Sequence, residues 1–179
     1  MNDRCVYDWL HQNRILLSGI PRVSLGKEEP TGMRYSEARS GRVFILRLED
    51  GEILHESLEN FAEAQGVRAA AAIMLGGADE GSKLVVGPDQ ARSTPVTPLE
   101  YIFQGVHEVM GVGTLFPDET GRSVLHMHIS GGRRDSAVTG CIRRGVRVWH
   151  VMEIVLLEIV DTTACRKLDQ TTGFEILQP

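Results

Sequence analysis

From residue 99 onward the sequence is a succession of strand-type runs, LEYIFQ, HEVMGVGTLF, RSVLHMHISGG, GVRVWHVMEIVLLEIV and GFEILQ, with no helical spacing between them. Their β-branched and aromatic residues fit a pleated, half-buried surface. Strands that follow one another with no alternating helix are expected to pair largely antiparallel, since parallel pairing needs long crossovers. Upstream, RVFILRL at residues 42–48 is a further strand that ends at Glu49-Asp50-Gly51. VRAAAAIMLGGA and KLVVG, the latter at residues 83–87, are two more. One segment differs. Leu54, Leu58, Phe61 and Ala62 recur at helical spacing, with Glu52, Glu56, Glu59 and Glu63 largely on the other side. Residues 52–65 therefore read as an amphipathic helix, with Gly66 where a C-terminal cap belongs. The expectation is an α+β fold, an antiparallel or mixed sheet of seven to eight strands with one principal flanking helix.

A chain of 179 residues suits one domain plus an extension. Residues 1–34, which include GIPRVSLGKEEPTG, read as an N-terminal extension that packs on the domain or on a neighbouring subunit, and residues 35–179 as the domain. Pro88, Pro95 and Pro98 mark a loop, and the side-chain-free pair Gly76-Gly77 allows close approach of another segment. The longest apolar run, Val148 to Val160, is broken by His150, Glu153 and Glu158 and falls short of the roughly 20 residues a membrane span requires. The first residues carry charges and amides without a secretory hydrophobic block, so a cytoplasmic location without membrane contact is expected. Cys5, Cys141 and Cys165 are widely spaced with no Cys-x-x-Cys pair, which suits a reducing compartment and excludes a thiolate zinc knuckle. The formal net charge of −5 opposes binding to bare phosphate backbone, leaving nucleic-acid contact to a local patch.

Residues 125–141, LHMHISGGRRDSAVTGC, carry the densest chemistry. Side chains alternate across a strand, so Val124, His126, His128 and Ser130 share one face while Leu125, Met127 and Ile129 share the other. The two histidines then project together from Cα atoms about 6.6 Å apart, within reach of one transition-metal ion. A third ligand is needed, and the candidates are Cys141, His150 and His107. A mixed set of this kind leaves a position open for water or a ligand. The bland alternative is a pair of polar histidines on an exposed strand.

Between Gly131 and His150, Arg133, Arg134, Arg143, Arg144 and Arg147 face a single acid, Asp135, for a local charge of about +4. Arginine's fork geometry suits phosphate and carboxylate, so convergence near the histidines would make an anion site; otherwise the arginines pair with surface glutamates.

The order RVFILRLEDGEILHESLENFAEAQGV, AAIMLGGADEGSKLVVG, HEVMGVGTL, LHMHISGG and GCIRRGVRVWHVMEIVLLEI closely resembles the PPC (plant and prokaryote conserved) domain over about residues 42–178. The resemblance implies an antiparallel sheet with a flanking helix that assembles as a homotrimer. In plants the domain follows AT-hook segments and mediates nuclear protein association, while stand-alone prokaryotic members carry a DNA-binding label without an established activity. The resemblance further implies, from some bacterial and archaeal members, a metal held by the His-x-His strand and by a following Gly-Gly-His-Leu segment. His126 and His128 match the first motif; the second reads here Thr139-Gly140-Cys141-Ile142, with Cys141 in the place of the histidine. Glu153 matches the family's acidic residue in its last long strand. His107-Glu108 falls where plant members read Arg-Phe-Glu-Ile-Leu, and the glycines that follow depart from that pattern. No Arg-Gly-Arg-Pro core occurs, so minor-groove reading by an AT-hook is absent.

Together these features give a homotrimeric binding or regulatory module, with a DNA or protein partner and a metal site whose cofactor would be Zn2+. The competing reading is a metal-dependent enzyme acting on a small anionic molecule. There the ion on His126, His128 and Cys141 or His150 activates water, with Glu153 or Glu108 as base and Arg143 or Arg144 on the substrate. A purely structural trimer domain is the third reading. Arg133, Arg134, Arg143, Arg144 and Glu153 are the expected ligand-binding residues.

Overall fold

The computed structural model describes residues 32–92 and 96–179; the expected extension at residues 1–34 lies almost wholly outside the described residues. The chain forms β1 (Arg39–Glu49), α1 (Leu54–Gln65), β2 (Ala70–Ala78), β3 (Lys83–Pro88), β4 (Pro98–Ile102) and β5 (His107–Pro117). There follow β6 (Ser123–Arg133), β7 (Ser136–Cys141), β8 (Val148–Val160), β9 (Cys165–Leu168) and β10 (Glu175–Gln178). Eight strands make one sheet in the order β1-β8-β2-β5-β6-β7-β3-β4, every neighbouring pair antiparallel. The expected α+β class with one helix on a largely antiparallel sheet is the fold observed. Two strands were not legible as such: SAVTGC, which is β7, and CRKL, which is β9. The last strand, β10, pairs with β9 in a separate hairpin and not with the main sheet. No helix among the described residues is long and apolar enough to cross a membrane.

The helix starts and stops for local reasons. Glu56 lies in its positive first turn, and Gly66 ends it in the left-handed conformation (φ 64°), donating its N–H back to the Ala62 and Glu63 carbonyls. Leu54, Leu58 and Ala62 are fully buried against the sheet, where they join Ala70, Ala72 and Met74 of β2, Leu125, Met127 and Ile129 of β6, and Met152, Ile154 and Leu156 of β8. Glu59 also accepts the Leu125 N–H at 2.9 Å, tying α1 to β6.

Gly76 and Gly77 do admit a close neighbour. A Cβ on Gly77 would stand 2.7 Å from the Trp149 ring, and one on Gly76 2.7 Å from the Met152 Cα. Here the β2–β8 register shifts, and β8 bulges at His150, which adopts φ 58° and donates its N–H to Asp50 at 2.7 Å.

Among the described residues, no helix lies on the opposite face of the sheet. Val43 and Ile45 of β1, Ile73 and Leu75 of β2, Met110 and Val112 of β5 and Leu157 of β8 lie on it, each exposed. β9 approaches this face at β5, where Arg166 reaches Thr114. The β3–β4 hairpin joins the sheet through one register pair, Val85 opposite Cys141.

Candidate metal centre

Strand pairing assembles the centre. Across β5 and β6, Thr114 pairs with His126 and Val112 with His128; across β6 and β7, His128 pairs with Cys141. Directly opposed residues of an antiparallel pair share a face, so both imidazoles and the thiol rise from the helix-free side. The His126 and His128 Nε2 atoms stand 3.1 Å apart, and one donor atom from each of His126, His128 and Cys141 lies within 4.8 Å of the others. Donors around a tetrahedral zinc ion, at bond lengths of about 2.0–2.3 Å, stand roughly 3.3–3.8 Å apart. The three side chains therefore need only small rotations to hold such an ion, and imidazole and thiolate are ligands it favours. Cys141 is buried, His126 half-buried and His128 exposed, so the group opens to solvent on the His128 side.

Electrostatics favour the ligand form of the first histidine. Burial, then the charges of Arg143, Arg166 and His128, push the His126 imidazole from its usual 6.5 down to about 4. At neutral pH it keeps a free lone pair.

Arg166 is the residue the sequence did not single out. It extends from β9 with only 4% of its surface exposed, and its Nη2 donates to the Thr114 carbonyl at 3.2 Å and to the Thr114 hydroxyl at 3.0 Å. Its Nε is buried without a partner among the described residues. Because Thr114 is the cross-strand neighbour of His126, this guanidinium lies beside the metal group. Nothing in the run CRKL predicts that contact, which depends on the chain folding back after β8.

The other expected residues lie elsewhere. His150 sits on β8, three strands from β6, with its ring 4.2 Å from that of Trp149; the structure does not bring it to the histidine pair. His107 lies on the core side, stacked 3.9 Å from Phe103, and its Nδ1–H donates to the Gly105 carbonyl at 2.9 Å. Glu108 is exposed on β5 opposite Gly132. Glu153 is also on β8, on the helix-free face opposite Arg47 and Leu75, away from the metal group.

The arginines do not converge as a set. Arg133 donates to the Val106 carbonyl at 2.9 Å and Arg134 turns the β6–β7 hairpin at φ 55°, about 16 Å along the strand from His128. Arg144 pairs with Glu100 at 3.0 Å. Only Arg143, exposed two residues past Cys141, acts on His126.

The family model of the Plants and Prokaryotes Conserved (PCC) domain, the PPC domain of the resemblance above, matches residues 35–160. The chain belongs to this family. The PCC fold recurs in a PPC protein from Pyrococcus horikoshii (21% identity, TM-score 0.71, covering 82% of this chain and 98% of that one). It recurs also in a metal-containing protein from Archaeoglobus fulgidus (21% identity, TM-score 0.70, 82% of this chain and 100% of that one). A third likeness is to a "putative DNA-binding protein" from Bacteroides thetaiotaomicron (17% identity, TM-score 0.64, 79% of this chain and 96% of that one). At these identities the likeness shows the fold. No curated protein matches the chain. The PCC match ends at residue 160, so β9 and Arg166 lie outside it, while His126, His128 and Cys141 lie within.

Proposed function

We propose that this PCC-domain chain is a homotrimeric, cytoplasmic regulatory module that holds a zinc ion on His126, His128 and Cys141 and offers the ion's open position to a ligand. The carrying observation is the gathering of three donor atoms of suitable chemistry within 4.8 Å on one sheet face. The metal content of the Archaeoglobus relative supports it. Zinc on three protein ligands supplies a Lewis-acidic position for a fourth. The chain's own residues set its surroundings: neutral His126 presents its lone pair, buried Cys141 fixes the sulfur, and Arg143 and Arg166 make the neighbourhood positive.

The homotrimer is supported by the helix-free face, where Val43, Ile45, Ile73, Leu75, Met110 and Val112 form an exposed apolar band too large to be a scatter of single residues. DNA as a partner is supported by the name of the Bacteroides relative and by exposed Arg133 and Arg134 at the β6–β7 turn, against the net charge of −5. The second reading, a metal-dependent enzyme acting on a small anion, is favoured by one observation, the paired positive charges of Arg143 and Arg166 beside the donors.

Metal analysis of the purified chain tests the reading. One zinc per chain is expected, with none in the His126→Ala, His128→Ala double variant and weakened retention in Cys141→Ser. A metal-free wild type that also fails to take up added zinc would sink it. Light scattering should give three times the chain mass. Duplex binding that weakens with salt and is lost on neutralising Arg133 and Arg134 is the expected signature of the DNA partner.

A further inference from the structure

We propose that Arg166 and Arg143 form an anion subsite beside the metal centre, so that the ligand taken there is a small dianionic oxyanion of the phosphate-ester class, with one oxygen reaching the ion. This rests on the metal reading above and names the class of ligand for it. The geometry begins with Arg166. Its guanidinium is nine-tenths and more buried, spends one nitrogen on Thr114, and leaves Nε with no partner among the described residues. A buried charged donor without an acceptor is costly, and a guanidinium satisfies carboxylate or phosphate oxygens in pairs. Thr114 fixes where the guanidinium stands, since it accepts from Arg166 and is the cross-strand neighbour of His126.

Arg143 supplies the second arm. It leaves the sheet two residues after Cys141, is exposed, and acts electrostatically on both His126 and Arg166. Two mutually repelling guanidinium groups, with burial already lowering the Arg166 pKa, are stabilised by an anion between them. The nearby acidic groups are Glu175 of β10 and Cys141, whose sulfur is a thiolate once it holds the ion. With a dication on the donors, positive charge remains in excess, which a dianion neutralises better than a monoanion. A nucleic-acid backbone is a poor occupant, because Arg166 is almost wholly buried, too deep for the phosphates of a duplex to reach. Arg166 also lies beyond the span that the family model matches.

The test uses the full chain loaded with Co2+, whose visible absorption reports the ligands of the bound ion. Inorganic phosphate should change that absorption saturably, acetate at least tenfold more weakly, and a duplex oligonucleotide at equal phosphate concentration not at all. Arg166→Met should keep stoichiometric cobalt and lose the phosphate response at least tenfold; Arg143→Gln, at an exposed position and so harmless to folding, should weaken it several-fold. A cobalt-loaded wild type indifferent to phosphate, or one whose response both variants share unchanged, overturns the subsite while leaving the metal reading intact. A duplex as effective as phosphate overturns the small-ligand assignment. If the chain binds no cobalt, the metal reading fails. Phosphorus NMR on the metal-free protein then decides the subsite: line broadening that Arg143→Gln removes supports it, and none overturns it.

Discussion

The two faces of the sheet are built from the same strands and do opposite things. On β6, Leu125, Met127 and Ile129 are buried under α1, while His126 and His128, the residues between them, stand on the open side. On β2, Ala72 and Met74 are buried and Ile73 and Leu75 are exposed. The covered face is apolar because it meets a helix within the chain. The open face is apolar over β1, β8, β2 and β5 and turns polar at β6 and β7, where the metal group sits. A face that changes character along its width teaches that apolar content alone does not mark a core; the three candidate ligands lie where it turns polar.

The sharpest way to break this contrast is to weaken each face in turn. Met127→Ala, at a fully buried position, is expected to destabilise the chain by about 2–5 kcal/mol in denaturant unfolding. Next in size is the metal. Zinc at a hundredfold excess over its dissociation constant should stabilise the chain by about 2.7 kcal/mol, a gain that a chelator or the His126→Ala, His128→Ala pair removes. Val112→Asp, beside His128 on the open face, should change the unfolding of the separated chain by no more than about 0.5 kcal/mol. Light scattering should nevertheless show a smaller assembly, and an unchanged mass would mean that this face meets only water.

The smallest effects distinguish the faces by pH. His126 has its pKa lowered from 6.5 to about 4, so the unfolded chain binds this proton first and stability falls as pH drops from about 6.5 through 4. Glu158, buried at the edge of the covered face, accepts two side-chain bonds from Arg42 at 2.7 and 2.6 Å and its backbone N–H at 2.9 Å. The Arg42 hydrogen bonds, against the cost of burial, hold its carboxyl at about 2 in place of 4.5. Its contribution is present above about 4.5 and lost as pH falls through 2. Chemical denaturation across pH on the metal-free chain should lose the upper window in His126→Ala and the lower one in Glu158→Gln.

Much of this was legible because strand alternation is a local rule. His126 and His128 sharing a face, the helix at 52–65 and its Gly66 stop follow from period and from one αL position, and the resemblance singled out Cys141 from the three candidate third ligands. What did not follow is tertiary. Residues 136–141 carry Ser, Ala and Gly among only two β-branched residues, a weak strand signal, and become β7 because β6 offers a ladder to complete. His150 has metal-ligand chemistry but occupies a bulge three strands away, a distance set by sheet order and invisible in spacing. Arg166 is adjacent to His126 only because the chain crosses back over β5 after β8.

The lone rung between Val85 and Cys141 ties the centre to the sheet's margin. The cysteine that would grip the ion is also the β7 end of the ladder rung that joins the β3–β4 hairpin to the main sheet, beside the Lys83 N–H bond to the Gly145 carbonyl and the Arg144–Glu100 pair. Filling the centre should therefore steady that margin, and slower amide exchange in residues 83–88 on adding zinc is the expected sign of it.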